Sequence, residues 1–335
     1  MWNKSIDNYD RKLDEKIKNH LREIDRIVAV ENEIYLDDDL SEMGENSRIT
    51  AEQVEAVAES IDRKLSENPD DKVLKKKAKE FKKDILPRKQ KYEDALATFK
   101  GRNSYSKTDH DATFMRMKED AMLNGQLKPG YNIQIGTESR YIVGFTIHQN
   151  PTDTKTLIPH LDHLKEKLGQ LPENIIADAG HGSEENYEYL EEKKLGSYVK
   201  YNKFHWEKKK KNRENPYLTD NLPYDSETDS FICRNEKRLV HVGNRKYVTE
   251  AGYETRRDYY RCEDCNGCPY ASECKNTDKN RTIRISHRLN ELKRKANENL
   301  CSEKGLKLRS QRVVEVEQVF GRIKGCWSFR RFHLR

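Results

Sequence analysis

The sequence predicts an α/β fold: a mixed sheet with helices, preceded by a helical arm and interrupted by a β-rich insertion. Three observations predict it. Residues 4–100 are nearly free of glycine and repeat apolar residues at helical spacing. Past residue 103, alternating and helical runs follow in the order β-β-α-β-α-β. Residues 203–285 break that rhythm with short β segments and a knot of cysteines. The expected divisions are 1–103 for the arm, 104–202 for the core, 203–285 for the insertion and 286–335 for helices that complete the core.

In the arm, Tyr9, Leu13, Ile17, Leu21, Ile24 and Ile27 recur at steps of three and four, the mark of an amphipathic helix. Thr50 with Gln53 makes a capping box for a second helix reaching about Leu65. Residues 69–99 form a third, with a break expected near Pro87. The arm reads as a helical hairpin or short coiled coil; a solvated spacer is the alternative. In the core, Tyr131–Gly136 and Tyr141–Ile147 alternate around a turn at Thr137–Arg140 and predict a hairpin. Pro151–Thr154 opens a helix with Leu157, Leu161, Leu164 and Leu168 on one face, ended by Gly169. A strand over Asn174–Asp178, a helix over Glu184–Lys194 and a strand over Ser197–Tyr201 complete the core. In the insertion, Phe231–Cys233, Arg238–Val242, Lys246–Val248 and Thr282–Ile285 read as β. Residues 286–300 read as helical, and residues 310–324 as a last helix with Val313, Val316, Phe320 and Ile323 on one face.

Composition narrows the function. Only 34% of the chain is hydrophobic and 36% is charged, which calls for a thin core, long solvated helices or a broad polar partner surface. The net charge of +6 is mild, so its distribution matters more than its sum. No run of about 18 apolar residues predicts a membrane helix, and the first residues lack the apolar stretch of a secretory signal.

Two stretches carry chemistry. Asp178 ends a buried strand and is followed by Gly180 and Gly182. Ligands gather beyond the carboxyl ends of strands in open α/β sheets, and the glycines leave room there for a metal or a phosphate. An Asp capping the next helix or turn is the plainer alternative. The second stretch runs from Arg312 to Lys324. At ~100° per residue, Glu317, Gly321 and Lys324 share one stripe, and Gly321 clears space one turn after Glu317. Lys324 would then meet a phosphate. An ordinary charged outer face is the alternative.

Together these stretches resemble the DDE transposases of bacterial insertion sequences, in the branch with a β-rich insertion before the glutamate. The resemblance is strongest in Tyr105–Lys118, Lys128–Gln134, Ala177–Ser183 and Glu317–Gly325, and the tail Phe329–Arg335 also fits. It implies an RNase H-like core, with Asp178 and Glu317 as the second and third acids of a catalytic triad. Lys324 matches the family's lysine, and Arg312 lies near its arginine, although an accompanying tyrosine is absent. It also implies Mg²⁺ or Mn²⁺, because acids from separate elements hold two ions about 3.5–4 Å apart that activate the attacking oxygen and stabilise the leaving one. The implied partners are transposon-end and target DNA, with a homo-oligomer in the synaptic complex, in the cytoplasm at the nucleoid. The family's first acid lies on a first core strand upstream of the helical region, and no such strand precedes Trp2. The expectation is therefore an N-terminally truncated chain, inactive alone. Asp109 and Asp111 belong to a stretch that the family has beside its true first acid, so a structural role is expected for them. A non-catalytic DNA-binding or oligomerising remnant is the competing reading, and a zinc-stapled interaction protein a third.

Cys262, Cys265, Cys268 and Cys274 are spaced to hold zinc tetrahedrally, with Cys233, His241 or His287 able to replace one ligand. The spacing approaches an iron–sulfur run, though its last interval is too long, and unmetalled thiols remain an alternative. Cys301 and Cys326 read as buried or free thiols. Lys208, Lys209 and Lys210 beside Trp206, and Arg322 with the residues after it beside Trp327 and Phe329, read as DNA contacts.

Overall fold

The computed structural model describes residues 1–31, 48–67, 69–117, 124–249 and 252–329, with side chains over 1–24 in the first of these. The side chain of Ile27 and the tail beyond Phe329, both used above, lie outside the described residues. Two compact units divide the chain, Met1–Tyr131 and Asn132–Arg335. Among the described residues, no helix is long and apolar enough to cross a membrane.

The first unit has a core of its own rather than the seam of a hairpin arm. Helices α1 (Asn3–Glu31), α2 (Ala51–Glu67), α3 (Lys72–Glu80) and α4 (Leu86–Phe99) bury Leu13, Ile17, Val54, Ile61, Leu74, Phe81 and Ile85 together. The capping box forms reciprocally: Thr50 N–H donates to Gln53 Oε1 at 2.9 Å, and Gln53 N–H to Thr50 Oγ1 at 3.3 Å. The interruption near Pro87 takes the form of a π turn rather than an end of the helix. A π-helical turn over Phe81–Ile85 joins α3 to α4 and leaves Pro87 in the first turn of α4, where the missing N–H costs least. Strands β1 (Thr113–Arg116) and β2 (Leu127–Gly130) pair antiparallel in the same unit. Asp109 there accepts the Tyr131 hydroxyl at 2.7 Å and the Asp111 N–H at 3.1 Å, a structural employment.

Under these helices lies an ionic cluster. The fully buried Lys89 ammonium donates to Asp10 at 2.8 Å and Asp14 at 2.6 Å. Arg48 donates to Asp10 at 2.6 Å. Burial pushes the Asp14 carboxyl up, and the Lys89 hydrogen bond opposes it without prevailing. Removing one partner of a buried pair leaves an uncompensated charge. Lys89→Met is expected to lower stability by about 3–5 kcal/mol in urea titration of the whole chain; a loss near zero would contradict the cluster's role.

The second unit builds the candidate site. β3 (Asn132–Glu138) and β4 (Tyr141–His148) form the expected hairpin. Its tight turn uses Ser139 and Arg140, both at positive φ (50° and 70°), the handedness that matches strand twist. A short 3₁₀ turn at Asp153–Lys155 leads into α5 (Leu157–Leu168), which Gly169 ends at φ 77°. Leu157, Leu161 and Leu164 are buried, whereas Leu168, last in the helix, is exposed. β5 (Asn174–Ala177) and β6 (Gly196–Val199) pair in parallel across α6 (Glu184–Glu192). The expected single mixed sheet is thus in two pieces among the described strands, β3–β4 and β5–β6. What unites them is a core in which Leu161, Leu164, Ile175, Tyr187, Leu190 and Val199 pack together, with Val143 of β4 against it.

After the short helices α7 (Phe204–Glu207) and α8 (Lys210–Arg213), the insertion forms an antiparallel five-stranded sheet. Its strands are β7 (Tyr224–Asp225), β8 (Ser230–Ile232), β9 (Arg238–Val248), β10 (Glu254–Cys262) and β11 (Thr282–Ile285), with α9 (Ala271–Cys274) before the last. The two segments read separately at Arg238 and Lys246 are one strand bent by a bulge where β10 carries Tyr259 and Tyr260. α10 (His287–Cys301) and α11 (Glu303–Arg312) follow. The final helix is not a plain α-helix: π turns over Val313–Glu317 and Arg322–Cys326 flank the one-turn α12 (Gln318–Gly321). Val313 is exposed rather than packed on an apolar face.

Three histidines, His148 at the end of β4, His160 on α5 and His181 after β5, lie near one another. The Thr146 hydroxyl sits 2.7 Å from His148 Nε2 and 2.8 Å from His160 Nδ1. Burial lowers the pKa of His148 and His181 and takes His160 down to about 4. A depressed histidine pKa means the unfolded chain binds more protons between the two values. The contribution is therefore complete above about pH 6.5 and is lost as pH falls toward about 4. The melting temperature is expected to drop over that window, less steeply in His160→Gln; an unchanged value between pH 7 and pH 5 would contradict it.

Candidate functional site

Asp178 is the first residue past β5. Its backbone is still extended (φ −73°, ψ 168°), and its carbonyl accepts the His181 N–H at 3.1 Å to start the 3₁₀ turn Ala179–His181. That turn is tied down from the side. His181 Nδ1 donates to the Asp153 carbonyl at 3.1 Å, and the Asn186 amide donates to the His181 carbonyl at 2.8 Å and the Thr154 carbonyl at 3.1 Å. The Asp153 carboxylate in turn accepts from Asn132 at 2.7 Å and Gln134 at 3.1 Å, both on β3. Asp153 thus links the hairpin to the Asp178 loop. The sequence showed it only as part of a helix start, and its signal was weak: one acid among threonines.

The glycines serve this packing rather than an open ligand space. A Cβ on Gly180 would lie 2.7 Å from Asp153 Oδ2, and one on Gly182 would overlap the Lys200 carbonyl oxygen. The space beside both is filled by the protein itself, which corrects the expectation that they leave room for metal or phosphate. A Cβ on Gly321, in contrast, would meet nothing within 4 Å, so the surface next to Glu317 is open there.

Glu317 closes the first π turn of the last helix. At α-helical spacing, Arg312 and Glu317 would point ~140° apart. The i→i+5 turn brings them to one side instead. Arg312 Nη1 lies 3.8 Å from Glu317 Oε1, while its Nη2 donates to Asp178 Oδ2 at 2.5 Å. Two carboxylates from separate elements, 139 positions apart in sequence by their numbering, thus meet around one guanidinium. The Arg312 side chain is 14% exposed, against 50% for Asp178 and 61% for Glu317. The cation is covered, and outer carboxylate oxygens face solvent.

The other expected site residues lie as follows. Lys324 falls inside the second π turn, with its ammonium 5.6 Å from the Phe320 ring centre. The uniform stripe through Glu317, Gly321 and Lys324 therefore gives way past Gly321, because a π turn does not advance ~100° per residue. Arg322 is exposed at the start of that turn. Lys208 stacks over Phe204 at 3.9 Å and donates to Cys301 Sγ at 3.1 Å. Lys209 caps α8 and Lys210 begins it, both exposed. Arg309, which sequence reading passed over, lies 5.3 Å over the same Phe204 ring, one turn before Arg312.

Among the described residues, no three histidine, cysteine, aspartate or glutamate side chains converge as a metal-holding group. The expected zinc set is therefore not assembled. Cys262 is buried in the sheet core, where burial pushes its thiol up to about 12. Cys274 accepts from the Arg281 guanidinium at 3.1 Å and Cys265 from the Arg281 N–H at 3.4 Å. Of the substitute ligands, His241 Nε2 lies 3.2 Å from Asp258 and His287 Nε2 lies 2.7 Å from the Tyr260 hydroxyl, while Cys233 packs with Cys265 against the core that holds Cys262. Leu222, Phe231, Leu239, Tyr260, Ile283 and Ile285 hold the insertion together instead. Cys301 and Cys326 are exposed thiols.

A guanidinium between two carboxylates competes with any other cation for them. Arg312→Ala is expected to tighten Mn²⁺ binding several-fold in a titration followed by electron paramagnetic resonance, and Glu317→Gln to weaken it. Unchanged affinity in both would separate the pair from cation binding.

A family model described as "Transposase DDE domain" matches residues 232–335. The matched stretch includes the part of the insertion that carries its cysteines, Arg312, Glu317 and Lys324, and does not reach Asp178. The match supports a DDE transposase. Comparison with curated proteins and with solved structures gave no significant match.

Proposed function

We propose that this chain acts on DNA as a DDE transposase, cleaving phosphodiester bonds and joining the freed 3′ end to target DNA. The observation that carries the reading is the meeting of Asp178 and Glu317 around Arg312, within a chain whose residues 232–335 match a transposase domain. The donor set suits a small hard cation. Mg²⁺ binds through one or two carboxylates, completing its shell with water and substrate phosphate oxygens, and a buried positive charge already sits where these two carboxylates meet. Bound there, a divalent ion would supply charge stabilisation to the phosphoryl group and a more acidic attacking hydroxyl.

The chain's own residues would do the rest. Asp178, fixed by its strand and by the Asp153 and His181 contacts, presents an oxygen at a set position. Glu317 approaches from the opposite element. Arg312, once released from the carboxylates, is placed to meet a DNA phosphate, and exposed Lys324 and Arg322 extend positive charge along the same helix. A self-associated assembly on paired DNA ends belongs to this reading.

The test is Mn²⁺-dependent nicking of supercoiled DNA. Asp178→Asn and Glu317→Gln are each expected to reduce it at least ~10²-fold, the loss of several kcal/mol of charge stabilisation. Nicking retained in both variants contradicts the assignment. DNA binding without any nicking by the parent chain favours the second reading, a DNA-binding chain without catalysis. The observation favouring that reading is that Arg312 already fills the place between the acids.

A further inference from the structure

The insertion sheet has one face that its own core does not use. The inward face carries Leu239, Tyr260, Cys262, Ile283 and Ile285. Strand alternation and register place Arg245 and Tyr247 of β9, Arg257, Tyr259 and Arg261 of β10, and Arg284 of β11 on the other. Arg245 stands directly opposite Arg257, and Arg284 directly opposite Tyr259. No acidic strand residue of β9, β10 or β11 shares this face: Asp258 turns inward to His241, and Glu254 pairs with Lys246 on the reverse side.

Like charges directly opposite across an antiparallel pair destabilise it. Here the two arginines are held by tyrosine rings rather than carboxylates. Arg257 stacks 3.4 Å over Tyr247, and Arg245 lies 5.3 Å over Tyr259. Among the described residues, Arg245, Arg257, Arg261 and Arg284 form no ion pair. The nearest acids shown, on α6, are occupied at the β10 edge. Glu184 accepts from Thr255 at 2.7 Å and Ser286 at 3.1 Å, and Glu188 from Tyr253 and Arg288. Among the described strands, β9 beyond Val240 pairs only with β10, and β10 below Asp258 only with β9. The far part is therefore two strands wide, and α6 meets its β10 edge at Tyr253 and Thr255.

We propose that this arginine face is a second DNA-binding surface, seating the phosphate backbone of duplex DNA against the β9–β10 ribbon. The tyrosine stacks offset part of the repulsion between the two arginines, and a row of phosphates would neutralise the charge that remains. A guanidinium that packs over a tyrosine ring, as Arg257 does over Tyr247, uses its face there and leaves its N–H edges for phosphate oxygens. A two-stranded ribbon also has the width of a major groove, which an acidic peptide would not require. The surface is distinct from Asp178 and Glu317, and none of the lysines and arginines expected from the sequence to touch DNA lies on it.

The experiment measures binding of a labelled random-sequence duplex to the whole chain by fluorescence anisotropy, without divalent ions, across a salt series. The combined variant Arg245→Gln, Arg257→Gln, Arg261→Gln, Arg284→Gln is expected to lose at least tenfold in affinity. Its log–log salt slope should fall by roughly 0.9 for each phosphate contact removed. Lys246→Gln, on the reverse face, should change neither, and Asp178→Asn should retain this binding even where it abolishes nicking. An unchanged slope in the combined variant with intact near-ultraviolet circular dichroism overturns the proposal. So does an equal fall in Lys246→Gln, or polyglutamate competing as well as DNA of equal charge. If the combined variant unfolds, Arg261→Gln with Arg284→Gln, which leaves both stacked arginines in place, decides by the same slope.

Discussion

Two carboxylates do not settle beside one another without a positive charge between them. Asp178 and Glu317 meet because Arg312 binds both, and Arg312 reaches both because the helix takes one π turn between residues 313 and 317. In a regular α-helix the same arginine would point well away from Glu317. The extra residue in the turn is a local irregularity with a consequence for charge. It brings Glu317 to the side of Arg312 that faces Asp178, and it leaves Val313 and Val314 exposed.

The other arm depends on the opposite principle, tight packing. Asp178 leaves β5 in extended backbone and is held by a turn with no room for side chains at Gly180 or Gly182. Asp153 connects that turn to the hairpin through Asn132 and Gln134. Burial keeps His181 inclined to the neutral state despite the neighbouring acids, so its Nδ1 proton stays on the Asp153 carbonyl without adding a third charge. One carboxylate is thus fixed by a rigid loop and the other by a helix whose cation is internal. The insertion between them in sequence is held by apolar residues and by Tyr260, which hydrogen-bonds Asp229 at 2.8 Å.

Much of this was legible. The strand before Asp178, the hairpin, the α6 start at Ser183 and the capping box at Thr50 all follow from period and from side chains that satisfy backbone N–H groups. Three things were not. Periodicity assumes a fixed angle per residue, so the π turns at Val313 and Arg322 were invisible. β10 escaped because its inward Tyr260 and Cys262 alternate with arginines and a tyrosine, so no apolar run marks it. Cysteine spacing suggested zinc, but spacing cannot show that Cys262 is buried in a sheet or that Arg281 reaches Cys274. The motif glycines were noticed for the right reason, absence of a Cβ, but what fills the space is the carboxylate of Asp153 and the backbone at Lys200.

Whether Asp178 and Glu317 hold one cation between them is read most directly with Fe²⁺ in place of the divalent ion, when ascorbate and peroxide generate hydroxyl radicals where the ion is bound. A shared site gives two clusters of backbone cuts in the folded chain, one around Asp178 and one around Glu317, both suppressed by excess Mg²⁺ and both lost together in Glu317→Gln. Cuts at only one of the two, or cuts centred on the cysteines from Cys262 to Cys274, would contradict it.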